Sequence, residues 1–166
     1  MGFSHWIKRV FSGGNASGQE NDALDQAVEA SVDPNEEEAA GLNFRTAIEA
    51  HQKWKARLQA VLNEDSAEAL SVETLSRDDL CVLGKWIHGE GEKQFGDEPL
   101  FVKLRQDHAR FHTCAGVVLQ KAQSGSEDDK QEAQTVLSRG DYASASQEVI
   151  MDLAELYQSV ATTPEK

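Results

Sequence analysis

Apolar residues recur at three- and four-residue steps through most of this chain, the period of one helix face. Over residues 42–62 the stripe is Phe44, Ala47, Ile48, Trp54, Leu58, Val61 and Leu62, with His51 standing in the same row. Asn63, Glu64, Asp65 and Ser66 end that helix. The capping run Ser76-Arg77-Asp78-Asp79 predicts a second, shorter helix reaching about His88, stopped by Gly89 and Gly91. A loop through Gly96 and Asp97 leads to Pro99, well placed as a first-turn proline. The third helix, residues 99–123, carries Phe101, Leu104, His108, Phe111, Ala115, Val118 and Ala122 along a bundle seam before Gly125 breaks it. Residues 127–138 read as a short helix. Gly140-Asp141 then opens a last one to about Ala161, with Val149, Ile150, Leu153, Leu156, Tyr157 and Val160 inward. Short connections between helices of similar length predict an all-α chain: an antiparallel four-helix bundle over residues 42–162 with a short extra helix. No internal repeat is evident.

The first 41 residues follow a different pattern. Residues 1–12 place Phe3, Trp6, Ile7, Val10 and Phe11 on one stripe with Lys8 and Arg9 beside it, a short amphipathic helix. Such a peptide suits docking on a membrane surface or a partner; the plainer alternative is packing on the bundle or on another subunit. It does not meet the myristoylation pattern, because position 6 is Trp6. Residues 13–41 combine glycine, alanine and acid with almost nothing to bury, the composition of a flexible tether.

Charge sharpens this division. The formal net charge is −13, of which residues 1–12 supply +2, residues 13–41 supply −8 and the rest −7. So acidic a chain argues against nucleic acid, whose phosphates need clustered Lys and Arg. No apolar run approaches the ~20 residues that span a bilayer, and no signal-peptide pattern opens the chain. A cytoplasmic protein is the expectation, in which the two cysteines are thiols or ligands rather than a disulfide.

The chemistry lies in the seam. His51 and His108 occupy steps where Leu or Ile is expected, and a buried imidazole there needs a partner. His112 follows His108 at i+4 and so faces the same way. An isolated H-x-x-x-H is a weak signal, and a lone histidine is more often a satisfied core residue. Three inner-stripe histidines with Cys81 opening the neighbouring helix make a stronger one. A thiolate and three imidazoles satisfy a tetrahedral Zn2+ and leave no position for substrate. No HExxH, phosphate-cradling loop or nucleophile elbow is present, so an enzyme is not expected.

Three segments carry a resemblance to a known family. AIEAHQKWK resembles the first histidine motif of the chemoreceptor zinc-binding domain, CVLGKWIHGEG its Cys-x-x-Gly-x-Trp motif, and FVKLRQDHARFHTC its two-histidine motif. The separations also correspond, thirty positions from His51 to Cys81 and twenty-seven from Cys81 to His108. The family occurs on bacterial chemoreceptors and diguanylate cyclases, and the resemblance spans about residues 42–161. It implies a stand-alone form of a zinc-binding four-helix bundle that commonly dimerises, with His51, Cys81, His108 and His112 as ligands and zinc or oxidant sensing as the function. Gly84 would let helices approach closely and Trp86 would pack. No cyclase signature or receptor signalling hairpin accompanies these motifs.

The other candidates read as structural. His88 is expected to be exposed, with a substitute-ligand role as the lesser alternative. His5 has no partner nearby in sequence. Cys114 lies about 200° around the helix from His112 and cannot share its metal. Trp54 either shields the site or fills core, and core filling is the expected role. The expected function is zinc-dependent sensing or regulation within bacterial signal transduction or chemotaxis. Metal supply or oxidation of Cys81 would loosen the bundle and signal to a protein partner, with a homodimer as the expected assembly. The alternative is an adaptor with a purely structural zinc, docked by residues 1–12. An iron-binding bundle would need Glu-x-x-His pairs that the seam lacks.

Overall fold

The computed structural model describes residues 38–161. The amphipathic peptide 1–12, with Phe3, Trp6, Ile7, Val10 and Phe11, and the tether as far as residue 37 lie outside the described residues. The tether's expected last residues are described, and they are structured. Strand β1 (Glu38–Ala39) pairs with β2 (Leu42–Asn43). Ala40 and Gly41 turn between them at φ 54° and 74°, the left-handed backbone that a two-residue hairpin requires.

The long helices are α1 (Phe44–Leu62), α5 (Pro99–Ala122), α6 (Glu127–Arg139) and α7 (Asp141–Ala161). They pack together as a bundle, with α5 against α7 the most extensive pairing. Local chemistry starts each one. The Asn43 side chain accepts the Thr46 amide at 2.8 Å to begin α1. Pro99 opens α5, and Ser126 caps α6 ahead of Glu127, Asp128 and Asp129, whose charges suit a helix N-terminus. The core draws Phe44, Ile48 and Leu58 from α1 and Phe101, Leu104, Phe111, Val118 and Leu119 from α5. Ala133 and Leu137 from α6, and Tyr142, Val149 and Leu153 from α7, complete it.

The fourth bundle helix is therefore α6, which the sequence pattern marks only as a short extra. The expected second helix over residues 76–88 is instead broken. Val72–Leu75 forms a single turn, α2, capped by Ser71. A stretch of turns and bends follows, and a new helix α3 (Val82–Trp86) starts after Cys81, whose backbone is extended at φ −76°, ψ 167°. Ile87–Gly91 continues as a wider turn in which Gly89 leaves helical geometry (φ −123°, ψ −105°), and α4 (Glu92–Phe95) closes the segment. The Ser76–Asp79 run does not cap a helix; Cys81 takes that place because its sulfur accepts the Gly84 amide at 3.2 Å.

Trp86 anchors this irregular segment. Its indole N–H donates to the Ala40 carbonyl at 2.8 Å, and its ring meets Phe44 and Phe101 edge-on. Phe44 and Phe101 each precede a seam histidine by seven residues, about 10 Å of helix. Trp86 thus packs one layer below the seam histidines.

A second polar feature crosses the α5–α7 interface. Asp152 is 2% exposed, and its carboxylate receives the Lys103 ammonium at 2.6 Å. The same ammonium reaches Asp107 at 2.8 Å. Burial pushes the Asp152 carboxyl up to about 6, against the opposing pull of Lys103. With its folded pKa above the unfolded one, this group favours the fold fully below about pH 4, and that contribution is lost as pH rises through about 6. Lys103→Met should raise the pKa further and destabilise the protein by about 1–3 kcal/mol at pH 8, with a smaller loss at pH 5. Urea unfolding at the two pH values measures this; an equal loss at both would contradict the assignment.

Candidate metal centre

Two regular helices and one irregular loop build the site. His51 is on the inner face of α1, 3% exposed, and His108 and His112 are successive inner turns of α5, 0% and 2% exposed. Cys81, half-buried, comes in from the loop between α2 and α3. One ligand atom from each of these four residues can be chosen so that all lie within 4.8 Å of one another. Cys81 Sγ is already 3.3 Å from His108 Nε2. Zinc bonds of ~2.0 Å to nitrogen and ~2.3 Å to sulfur place tetrahedral neighbours about 3.5 Å apart. Small side-chain rotations would close the remaining gap.

The hydrogen bonds set the imidazoles for this task. His51 Nδ1 donates to the Ala47 carbonyl and His112 Nδ1 to the Leu75 carbonyl, both at 2.7 Å. Each bond fixes the proton on Nδ1 and leaves the Nε2 lone pair for an ion, the usual arrangement around metal-bound histidine. His112 Nε2 and His108 Nδ1 are buried with no hydrogen-bond partner among the described residues. An acceptor lone pair left this way in the interior is costly unless something occupies it, and a cation held among the four donors fits the His112 orphan directly. The rings pack edge-on or tilted: His51 to His108 at 5.4 Å, His108 to His112 at 4.7 Å, and Phe111 against His51 and His112 at 5.0 and 5.2 Å.

Electrostatics favours neutral imidazoles. Burial pushes His51 down to about 4 and His108 to about 2, and lowers His112 as well. Burial also raises the Cys81 thiol, although the Gly84 amide pulls the other way. A divalent ion reverses that balance, since a coordinating thiol is deprotonated outright. For the metal-free protein the sign is clear. The unfolded chain takes up protons near pH 6.5 where the folded one does not, so stability is held above 6.5 and falls as pH drops from there toward 4. Each imidazole contributes about 1.4 kcal/mol per pH unit inside its window. Three imidazoles outweigh the opposite trend of Asp152, so metal-free unfolding free energy should be lower at pH 5 than at pH 7.5. A flat profile in urea titrations would contradict this.

Gly84 has a sharper role than helix contact. A Cβ there would sit 1.6 Å from the Asp78 carbonyl oxygen. What approaches Gly84 is the loop that carries Cys81, not another helix. Trp54 lies beside the site under the guanidinium of Arg57, 3.7 Å from its ring centre. Trp54, Leu80 and Cys81 line two surface grooves in common. One, of about 300 Å³, also reaches His112; the other, of about 420 Å³, also reaches His51. Trp54 therefore shields rather than fills core, and Cys81 is the ligand nearest solvent. His88 is exposed and pairs with Asp78, not with the cluster. Cys114 is outside the cluster.

Sequence reasoning does not reveal the Leu75 carbonyl that orients His112, since a backbone acceptor leaves no residue signal. It also passes over Asp152 and Tyr142, both buried on α7.

The model of the chemoreceptor zinc-binding domain family matches residues 51–119, a stretch that contains all four clustered residues. No match was found among curated proteins or among solved structures.

Proposed function

With residues 51–119 belonging to the chemoreceptor zinc-binding domain family, we propose that the chain is a non-enzymatic zinc-dependent sensory or regulatory protein. His51, Cys81, His108 and His112 would hold the ion. The observation that carries this reading is the buried, unpartnered His112 Nε2 within a closed set of three nitrogens and one sulfur. Four protein donors fill a tetrahedral zinc and leave no open position for a substrate. A zinc ion held by these residues would cross-link α1, α5 and the loop before α3, and would keep Cys81 as a thiolate.

Signalling follows from which part of the site is irregular. His51, His108 and His112 ride on long helices, whereas Cys81 and the Leu75 carbonyl belong to the loop from Leu75 to Cys81. Loss of the Cys81 bond frees that loop first, giving a two-state element that metal supply can bias. Oxidation is a second input. The Cys81 thiolate attacks a peroxide-class oxidant, the O–O bond breaks, one oxygen stays on sulfur as sulfenic acid and hydroxide leaves; the oxidised sulfur is a poorer ligand. The readout would pass to a signalling partner, in the cytoplasm. Among the described residues no helix is long and apolar enough to cross a membrane.

Metal analysis of the purified protein beside Cys81→Ala and His108→Ala tests the site. Wild type should carry about one zinc per chain, and both variants should lose most of it. A metal-free, fully stable wild type, or variants that keep their zinc, would sink the proposal.

A further inference from the structure

The loop from Leu75 to Cys81 does two things for the metal centre. It presents the sulfur donor, and its Leu75 carbonyl accepts from His112 Nδ1 at 2.7 Å. Its position therefore governs one ligand directly and the tautomer of another. Most of its own side-chain bonding is local: Arg77 pairs with Asp79, two residues away, at 2.6 Å. Asp78 differs. Its carboxylate receives His88 Nε2 at 2.9 Å from ten residues along the chain. Its backbone carbonyl presses on Gly84, which donates its amide to Cys81 Sγ at 3.2 Å. A chain of contacts thus runs from His88 through Asp78 and Gly84 to the sulfur. His88 stands just before Gly89, where the helical backbone breaks, so the histidine belongs to the far end of the same irregular segment.

We propose that His88 and Asp78 form a brace that holds the Cys81 loop in its ligating position, making His88 a positioning residue for the zinc site. The proposal rests on the zinc reading above. His88 does not touch the ion; it acts through Asp78 on the loop. Both side chains are partly exposed, so the pair adds little to fold stability. Its effect should appear in the geometry and retention of the metal, as partners beyond the ligands usually act.

The test is zinc competition against a chromophoric chelator, with cobalt(II) as a spectroscopic probe, on the full chain. His88→Ala and Asp78→Ala should each weaken zinc binding roughly two- to tenfold. The double variant should be no weaker than the poorer single one, because one interaction is removed in all three. His88→Gln, which keeps a donor near the Nε2 position, should recover most of the affinity. The thiolate-to-cobalt charge-transfer band should shift or weaken in His88→Ala and return in His88→Gln. Metal-free unfolding midpoints should stay close to wild type throughout. Wild-type affinity and an unchanged cobalt band in His88→Ala would overturn the brace while leaving the zinc site intact, as would fully additive losses. A wild type that takes up neither metal would overturn both.

Discussion

Stripping zinc with a chelator should lower the stability of this protein by about 4 kcal/mol when the comparison is made at a thousandfold excess of metal over its dissociation constant. The reason is linkage. The four donors converge only in the folded chain, so binding free energy adds to folding free energy. Without the ion the fold would also have to keep three neutral imidazoles together, with the His51 and His112 rings 5.4 and 4.7 Å from that of His108 and His112 Nε2 unpartnered. The loss should not be uniform. Amide hydrogen exchange should rise most between residues 71 and 95, where the helices are short, and least in α5 and α7, which share the largest contact of the bundle. Equal protection with and without metal across residues 71–95 would refute the idea that this segment responds to zinc.

Gly84→Ala should be the most damaging single substitution outside the four ligands. The new methyl would overlap the Asp78 carbonyl oxygen, 1.6 Å away, and that atom belongs to the backbone, so no rotamer change can relieve the clash. The loop must shift by more than an ångström and take Cys81 with it. An overpacked site of this kind costs about 1–3 kcal/mol in stability, and zinc affinity should fall by more than tenfold because the sulfur is displaced. Gly116→Ala makes a useful contrast. There the obstacle is the Ser76 hydroxyl at 2.0 Å, the end of a small side chain. It should be milder, and Ser76→Ala should partly rescue it. Chelator competition and urea unfolding on both variants measure the difference. Indistinguishable effects of Gly84→Ala and Gly116→Ala would contradict the loop contact.

Much of this architecture is legible in the residues because period and chemistry coincide. His51 and His108 interrupt apolar stripes at positions that α1 and α5 bury, and the i+4 step brings His112 to the same side. Where the pattern misleads, a local signal loses to a specific contact. Ser76-Arg77-Asp78-Asp79 has the composition of a helix start, but the Gly84 amide finds the Cys81 sulfur and moves the start by five residues. Helix α6 buries little beyond Ala133 and Leu137, so its apolar stripe is too thin to announce a bundle member. Asp152 is charged on an otherwise apolar face, and only the Lys103 side chain from a facing helix explains why it is tolerated there. The hairpin at Glu38–Asn43 is hidden because its acceptor for Trp86 is a main-chain carbonyl.

The burial of the three imidazoles, none more than 3% exposed, would bias the order of ligand exchange. Both surface grooves at the site are lined by Cys81 and each reaches a single imidazole, His112 or His51, so the sulfur bond would be the one most open to water, acid or a competing chelator. The residence time of a held ion would then depend most on that bond, so metal turnover could be tuned largely through one atom while the buried nitrogens keep their positions for recapture.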